Sequence, residues 1–273
     1  MSKSYIVLEG DKEVSPRIGS VPYLNARPLL YGLTYPVSSL VPAELFVAFQ
    51  NGKFDAALLS SIDAISMPHP EAVDEISISS RGDVYSVILA YTGELNAMGR
   101  VLLDPASHTS NALLQIILGE FHGCMPEYVH LSEAEYEISD LRIPRLLIGD
   151  RAIQFRKRLP IPDMRIMDLG GEWYRNTGLP FVYALWSLKH EFTEKKFLAD
   201  HLRNAKLRGL TRVEEIAAAT ADPIFTRRYF SEWIRYDLGD LEKKGLRAFA
   251  EYLKRYQLVR DCLLRTENEL TFY

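Results

Sequence analysis

The chain has 273 residues, a formal net charge of -4, 47% hydrophobic and 25% charged residues, a composition typical of a globular protein of about two domains. This acidity argues against a nucleic-acid partner, which needs clustered Lys and Arg to neutralise phosphates. The first residues lack the apolar core of a secretory signal, and no later apolar run is long enough to span a bilayer. We therefore expect a cytoplasmic protein without a membrane partner.

The stretch 17–33, RIGSVPYLNARPLLYGL, predicts a short strand at Ile18 followed by a helix start at Asn25. A helix start exposes unpaired backbone N–H groups, and together with the helix dipole these suit a carboxylate or a phosphate. Ser20, at the end of the strand, is a second candidate binding residue. The same pattern also fits an ordinary capped helix without a ligand.

Further strand and helix signals alternate along the first third of the chain. A helix from Pro42 is followed by a buried strand over 54–59 that ends on Ser60 and Ser61, where open α/β sheets bind ligands. Two more strands, 76–80 and 84–91, are predicted next, and the second carries Ser86. Ser61 also fits a helix cap, and Ser86 also fits an outward-facing strand position.

The second half repeats the opening pattern of strand, polar loop and helix start. A strand over 100–104 precedes a helix opened by Thr109 and Ser110, and a strand over 145–148 runs into Gly149 and Asp150 at the start of a basic helix. Asp150 fits either a cap of that helix or a carboxylate facing a cleft. A β-type run over 181–188 follows, and everything after about residue 194 is predicted to be helical.

These elements predict a two-lobed α/β fold with a central cleft. The first lobe comprises residues 1–92 plus 184–273, the second comprises 93–183, and two strands cross between them. In such a clamshell the strand-to-helix junctions of both lobes face each other across the cleft, so that hydroxyls and backbone amides surround a small molecule.

Several catalytic classes lack their signatures. Neither a Gly-x-Ser-x-Gly elbow nor a phosphate-binding GxxxxGK[ST] loop occurs. His108, His122 and His130 do not have metal-ligand spacing, so no metal site is expected. Cys124 and Cys262 lack CxxC spacing and are expected to be reduced packing residues. The neutral hydrogen-bonding groups at the junctions suit an oxygen-rich anion.

The chain resembles the chorismate dehydratases of the futalosine route to menaquinone, which are related to the dihydroxynaphthoate synthases of that route. Five segments carry the resemblance: 20–29 (SVPYLNARPL), 55–63 (DAALLSSID), 107–110 (SHTS), 147–152 (LIGDRA) and 177–186 (TGLPFVYALW). The related naphthoate synthases have a His-Glu pair where this chain has Gly149 and Asp150, which favours the dehydratase. Members commonly have Pro-Ser-Ile-Glu in place of residues 60–63, and frequently Arg in place of His108.

The resemblance implies a fold similar to that of periplasmic type II solute-binding proteins. It implies that chorismate loses water to give 3-[(1-carboxyvinyl)oxy]benzoate, without a cofactor. A dihydroxynaphthoate synthase and a non-enzymatic solute-binding protein remain the alternatives, and the missing export signal argues against the latter. The sequence leaves the oligomeric state open, with a homodimer as one alternative, and the purpose of residues 1–15 open as well.

We expect Asn25 to orient the reacting centre or the leaving hydroxyl. The base is either Asp150 or the enolpyruvyl carboxylate of the substrate itself. The remaining candidates are substrate-binding residues, with Ser86, Thr109 and Ser110 expected to bind carboxylates and Ser61 to fix the ring: Ser20, Ser61, Ser86, Thr109, Ser110 and Gly149.

Overall fold

The computed structural model describes residues 15–159, 161–259 and 270–273. In chain order the strands are β1 (Ile18–Ser20), β2 (Val37–Ser39), β3 (Ala56–Ser60), β4 (Glu71–Ser80), β5 (Val87–Tyr91), β6 (Arg100–Leu102), β7 (Glu127–Val129), β8 (Arg145–Ile148), β9 (Arg165–Asp168), β10 (Phe181–Leu188) and β11 (Thr271–Phe272).

The α-helices are α1 (Arg27–Leu30), α2 (Pro42–Gln50), α3 (Ser61–Ile65), α4 (His108–Ile116), α5 (Glu133–Ile138), α6 (Gly149–Arg158), α7 (Leu169–Thr177), α8 (Lys195–Thr211), α9 (Val213–Ala218), α10 (Pro223–Arg228) and α11 (Asp240–Arg255). Short 3₁₀ turns occur at Leu24–Ala26 and Leu95–Ala97, and single π-helical turns occur at Ile117–Phe121 and Tyr229–Trp233. None of the described helices is both long enough and apolar enough to cross a membrane.

The strands form two mixed sheets, one in each lobe. The first has the order β11-β4-β10-β3-β1-β2, with β1 parallel to β2 and β3 and with β10 antiparallel to β3 and β4. The second has the order β7-β6-β8-β5-β9, with β6 parallel to β7 and β8 and with β5 antiparallel to β8 and β9. The predicted two-lobed α/β class is confirmed.

The chain crosses between the lobes after β4 and again before β10. The crossing segments, residues 81–86 and 178–180, are not strands, so the prediction of two crossover strands is wrong. The predicted boundaries at 92 and 183 are also displaced, because β5 pairs in the second sheet and β10 pairs in the first from Phe181 onwards. The hydrophobic pattern of a strand predicts its buried face but not its partner, which depends on residues far away in the chain.

The C-terminal part of the chain ties the lobes together. Helix α11 packs against β10 of the first lobe and α4 of the second. Trp173, in α7, is completely buried and meets Phe181 and Phe249 edge-on at ring-centroid distances of 5.2 and 6.2 Å, so it is a core residue.

The predictions for the C-terminal end and for the two cysteines have separate outcomes. The predicted all-helical end is wrong in one respect, because β11 pairs in parallel with β4 at the edge of the first sheet. Cys124 is buried and has a free thiol, whereas Cys262 lies outside the described residues.

Candidate functional site

A cavity lies between the lobes, at the carboxyl ends of β1, β3, β6 and β8. It encloses about 620 Å³ of empty space, part of it open to solvent. Leu58, Ile78 and Ile148 contribute apolar surface. The polar residues that line the cavity come from both lobes and from the crossing segment between them: Tyr23, Asn25, Ser60, Ser86, Ser107, Thr109, Ser110 and Tyr183.

The second lobe contributes three hydroxyl residues at the start of α4. This helix begins one residue before the predicted Thr109, because Ser107 is its N-cap and accepts a hydrogen bond from the Ser110 N–H at 3.1 Å. The Thr109 Oγ1 accepts a hydrogen bond from the Ile62 N–H of the first lobe at 2.9 Å. Since the Ser107 and Thr109 oxygens each accept from the protein, both hydroxyls keep their protons available for a ligand.

A buried carboxylate shapes the loop that leads to these hydroxyls. Asp104 has no exposed surface, its Oδ1 accepts from the Ala106 N–H at 2.9 Å, and its own N–H donates to Asn111 Oδ1 at 3.0 Å. Arg151 lies 3.2 Å from Asp104 Oδ2. Burial raises the pKa of Asp104 from its usual 3.8 to about 6, although the Ala106 N–H and Arg151 oppose the rise.

The crossing segment contributes Ser86, the residue immediately before β5. Its Oγ accepts a hydrogen bond from the Tyr229 hydroxyl at 2.7 Å, and its main-chain carbonyl accepts from the Gly149 N–H at 2.8 Å. Ser86 is thus held from two sides, by the C-terminal part of the first lobe and by the start of α6 in the second.

Gly149 is the cavity residue at which the backbone needs a glycine. Its φ of +56° lies in the left-handed region, and a Cβ atom there would lie 3.1 Å from Cδ1 of Tyr23. The Tyr23 ring of the first lobe therefore packs on the bare backbone of the second. Burial raises the pKa of Tyr23 well above its usual value, so its hydroxyl stays protonated at neutral pH.

Ser60 differs from the other cavity hydroxyls because it is itself a donor to the protein. Its Oγ donates to Asp63 Oδ2 at 2.7 Å, and the other Asp63 oxygen lies 2.9 Å from Nδ1 of His108 in the second lobe. Ser60 therefore offers a ligand its oxygen lone pairs. The hydrogen bond to Asp63 raises the pKa of His108, which favours the charged imidazole and an ion pair between the lobes.

Asn25 lies inside the 3₁₀ turn Leu24–Ala26, whose N-cap is Tyr23, so the predicted capping role is wrong. Its main-chain carbonyl accepts a hydrogen bond from the Tyr236 hydroxyl at 3.0 Å. Its side-chain Oδ1 is buried and has no hydrogen-bond partner among the described residues. A buried amide oxygen without a donor is costly, so this atom suits a ligand that supplies one.

Asp150 does not line the cavity. It does not cap α6, one of the two roles that its sequence position suggested. Its Oδ1 instead bridges the two lobes by accepting a hydrogen bond from the Leu24 N–H of the other lobe at 3.2 Å. The charge still acts on the site. Burial raises the pKa of Tyr229 and of Tyr23 well above the usual value, and the negative charge of Asp150 adds to both shifts.

Ser20 and Ser61 are both fully buried and lie outside the cavity lining. The Ser61 hydroxyl donates to the Val182 carbonyl at 2.6 Å, and the Ser20 Oγ has no partner in the described part of the chain. Ser60 reaches the cavity instead, because β3 ends at Ser60 and α3 begins at the next residue.

The cavity therefore brings together Asn25, Ser86, Thr109, Ser110 and Gly149, but not Ser20, Ser61 or Asp150. The polar lining residues outside the predicted binding set lie within the quoted segments: Tyr23, Ser60, Ser107 and Tyr183. No local signal indicates Tyr229, which contacts Ser86 from behind the lining.

The lining carries no Asp, Glu, His, Lys or Arg among the described residues. Within the same ranges, no group of three or more His, Cys, Asp or Glu side chains could hold a metal ion. The polar groups that face a ligand are thus uncharged hydroxyls and amides. Such groups bind an anion through directed hydrogen bonds.

Comparison with known proteins gives a family and a fold. A family model described as menaquinone biosynthesis matches residues 16–255. A chorismate dehydratase from Thermus thermophilus is 34% identical over 260 residues, covering 86% of this chain and 94% of the relative. A chorismate dehydratase from Campylobacter jejuni is 24% identical over 253 residues, covering 88% and 98%. A Candida albicans protein with the generic periplasmic binding protein fold superimposes with a TM-score of 0.62 at 9% identity, covering 92% and 94%.

Proposed function

This chain belongs to the menaquinone biosynthesis family, and from that premise we propose that it is a chorismate dehydratase that converts chorismate into 3-[(1-carboxyvinyl)oxy]benzoate. The observation that carries the proposal is the cavity between the lobes, which is lined by hydroxyl and amide groups and has no charged side chain among its described lining residues. Both similar dehydratases align with most of the chain, and the family model matches residues 16–255, a range that includes the segments that build this cavity.

The cavity matches the chemistry of a dianion with a ring hydroxyl. Chorismate carries two carboxylates, and hydroxyl protons remain available on Ser86, Ser107 and Thr109, whose oxygens already accept from the protein. Ser60 offers lone pairs and Asn25 offers an unpartnered amide oxygen, and both suit the hydrogen of a substrate hydroxyl. The apolar surface suits the carbocyclic ring.

The reaction we propose is a hydro-lyase elimination. The C–H bond at the carbon bearing the enolpyruvyl ether breaks, its electron pair completes the aromatic ring, and the C–O bond of the neighbouring hydroxyl breaks. The proton taken from carbon by the base is passed to the departing hydroxide, which leaves as water. The elimination needs no external oxidant or reductant. Asn25 orients the leaving hydroxyl, and closure of the lobes excludes water from the reacting atoms.

We assign removal of the proton to the enolpyruvyl carboxylate of the substrate. The described lining residues include no carboxylate or imidazole, and Asp150 is engaged by the Leu24 N–H. An Asp150→Asn variant keeps an oxygen for that hydrogen bond, so we expect its kcat to stay within about threefold of the native value. A loss of more than about 100-fold would make Asp150 the base.

The direct test offers purified protein chorismate and follows ring aromatisation by ultraviolet absorbance, with the product identified by mass spectrometry. A parallel reaction offers the cyclic futalosine derivative used by the naphthoate synthases. Turnover of chorismate alone supports the proposal. Turnover of the second substrate alone would assign the related synthase activity, and chorismate binding without turnover would favour a solute-binding protein.

The chain offers a matched control for Asn25. The tripeptide Leu-Asn-Ala forms a 3₁₀ turn twice, at Leu24–Ala26 in the cavity wall and at Leu95–Ala97, where Asn96 is exposed. Asn25→Ala is expected to lower kcat by about 100-fold or more, as for the loss of a group that stabilises the transition state. Asn96→Ala should keep native kinetics. Undiminished turnover in Asn25→Ala would reject the assigned role.

The cytoplasmic location and the homodimer stay predictions. Fractionation of cells expressing the native protein tests the first. Sedimentation equilibrium of the purified protein tests the second.

A further inference from the structure

A buried tyrosine stands behind the cavity wall. Tyr229 begins the π-helical turn that follows α10 and is 1% exposed, so it does not itself face a ligand. Its hydroxyl donates to Ser86 Oγ at 2.7 Å across 143 residues of chain. Tyr229 therefore donates its proton to a residue of the cavity lining, Ser86.

Aromatic neighbours hold the Tyr229 ring in place. Phe225 stacks on it with ring centroids 5.7 Å apart and planes inclined by 15°, and Trp233 lies 6.5 Å away. A ring packed against two aromatic neighbours that also contact each other, at 5.8 Å, has little freedom to swing, so its hydroxyl occupies a fixed point. Ser86, by contrast, has a hydroxyl that rotates about a single bond and needs a fixed partner to select one direction.

The direction of the hydrogen bond decides what Ser86 offers to a ligand. Because Ser86 Oγ accepts the Tyr229 proton, its own single proton is directed elsewhere, and Ser86 lines the cavity. The side chain of Asn25, another lining residue, lies at the same tyrosine hydroxyl, and its hydrogen bond acts to lower the pKa of Tyr229 against the dominant effect of burial, which raises it. Tyr229 thus lies behind two lining residues, Asn25 and Ser86, and donates its proton to Ser86.

We propose that Tyr229 is a positioning residue for the dehydration, which holds Ser86 as a hydrogen-bond donor to a carboxylate of the bound substrate. The inference rests on the proposed function, since it takes chorismate as the anion. Without the tyrosine hydroxyl, the Ser86 oxygen loses its donor and the serine proton is free to turn away from the ligand. Substrate binding then weakens although no residue that touches the substrate has changed.

The test is a double-mutant cycle with Tyr229→Phe, Ser86→Ala and the double variant, assayed for chorismate turnover and for equilibrium binding of the product. We expect Tyr229→Phe to raise KM about tenfold, the order expected for a lost hydrogen bond to a charged group, with kcat changed less. In the Ser86→Ala background the same change should have no further effect on KM, because Tyr229 acts through Ser86.

A matched control is Tyr136→Phe. Tyr136 is also 1% exposed and its hydroxyl donates to the Leu146 carbonyl, in the second lobe and away from the cavity lining. It should change thermal stability but not KM. Equal KM effects of Tyr229→Phe with and without Ser86 would overturn the inference, as would a native KM in the single variant. A Tyr229→Phe protein that does not fold would also overturn it, since the hydroxyl would then be a structural group.

Failure of the proposed function gives a different result. If the native protein neither converts nor binds chorismate, the proposed function is wrong before any variant is compared. If the native protein is active and the cycle is additive, the function stands and only the role of Tyr229 is rejected.

Discussion

Gly149→Ala is expected to destabilise the protein and to weaken substrate binding, because the new methyl group would press on the Tyr23 ring. An alanine in the left-handed region, here at φ +56°, costs about 1–2 kcal/mol, reduced by roughly 0.4–1 kcal/mol because alanine also restricts the unfolded chain. The new Cβ would lie 3.1 Å from Tyr23 Cδ1, which is closer than ordinary van der Waals contact. The ring must therefore move by a few tenths of an ångström, and such overpacking adds about 1–3 kcal/mol.

Gly52→Ala isolates the backbone contribution. Gly52 follows the end of α2 at φ +72°, and a Cβ atom there meets nothing within 4 Å. Both variants carry a similar conformational cost, so the difference between their free energies of unfolding measures the displacement of Tyr23. Urea titration gives the free energies, and chorismate kinetics give KM. We expect the Gly149 variant to lose about 1–3 kcal/mol more than the control and to show a raised KM, with KM unchanged in Gly52→Ala.

The reasoning fails if the two variants lose the same stability and both keep the native KM. That outcome would mean that Tyr23 gives way freely, and that its packing on Gly149 neither stabilises the contact between the lobes nor shapes the cavity.

Three further predictions concern groups around the cavity. The pKa of Asp104 is raised from 3.8 to about 6, so ionising this carboxyl destabilises the folded protein. As the pH rises from 4 to 7, the native protein should therefore lose up to about 3 kcal/mol of unfolding free energy relative to Asp104→Asn, as measured by urea titration at each pH. The hydrogen bond to Asp63 raises the pKa of His108, so the stability that His108→Gln removes is present below about pH 6.5 and is lost at higher pH. It stays below about 1 kcal/mol because the imidazole is half exposed, and thermal melts of both proteins below and well above pH 6.5 measure it. Ser61→Ala should lose about 1 kcal/mol in urea titration with unchanged KM, since its hydroxyl bonds to the Val182 carbonyl outside the cavity.

The part of the site that follows from local pattern could be predicted from sequence. Thr109, Ser110 and Gly149 follow strands of one lobe, and a strand leading through a polar loop into a helix places such residues at the same edge of a sheet. The difference between Ser60 and Ser61 could not be predicted, because one residue of shift in the end of β3 exchanges a cavity position for a buried one.

Contacts between segments that are far apart in the chain could not be predicted from the local sequence pattern. The Asp150 carboxylate meets the Leu24 N–H across 126 residues, so its role is set by how the lobes approach each other and not by its place at a helix start. The crossing segments could not be predicted for the same reason. Residues 81–86 join two sheets, and which strands belong to each sheet depends on pairing between segments that are far apart in the chain.

The ligand preference of the cavity is determined by groups that do not line it. Ser86 and Thr109 are donors because the Tyr229 hydroxyl and the Ile62 N–H occupy their oxygens, and neither Tyr229 nor Ile62 lines the cavity. Ser60 is an acceptor because its own proton is donated in a hydrogen bond to Asp63. A substitution behind the cavity lining can therefore change a lining hydroxyl from a hydrogen-bond donor into an acceptor, or the reverse, while every lining residue stays the same. Two proteins of this fold with matching lining residues can for this reason differ in the ligand they accept, and the supporting hydrogen bonds must be compared together with the wall.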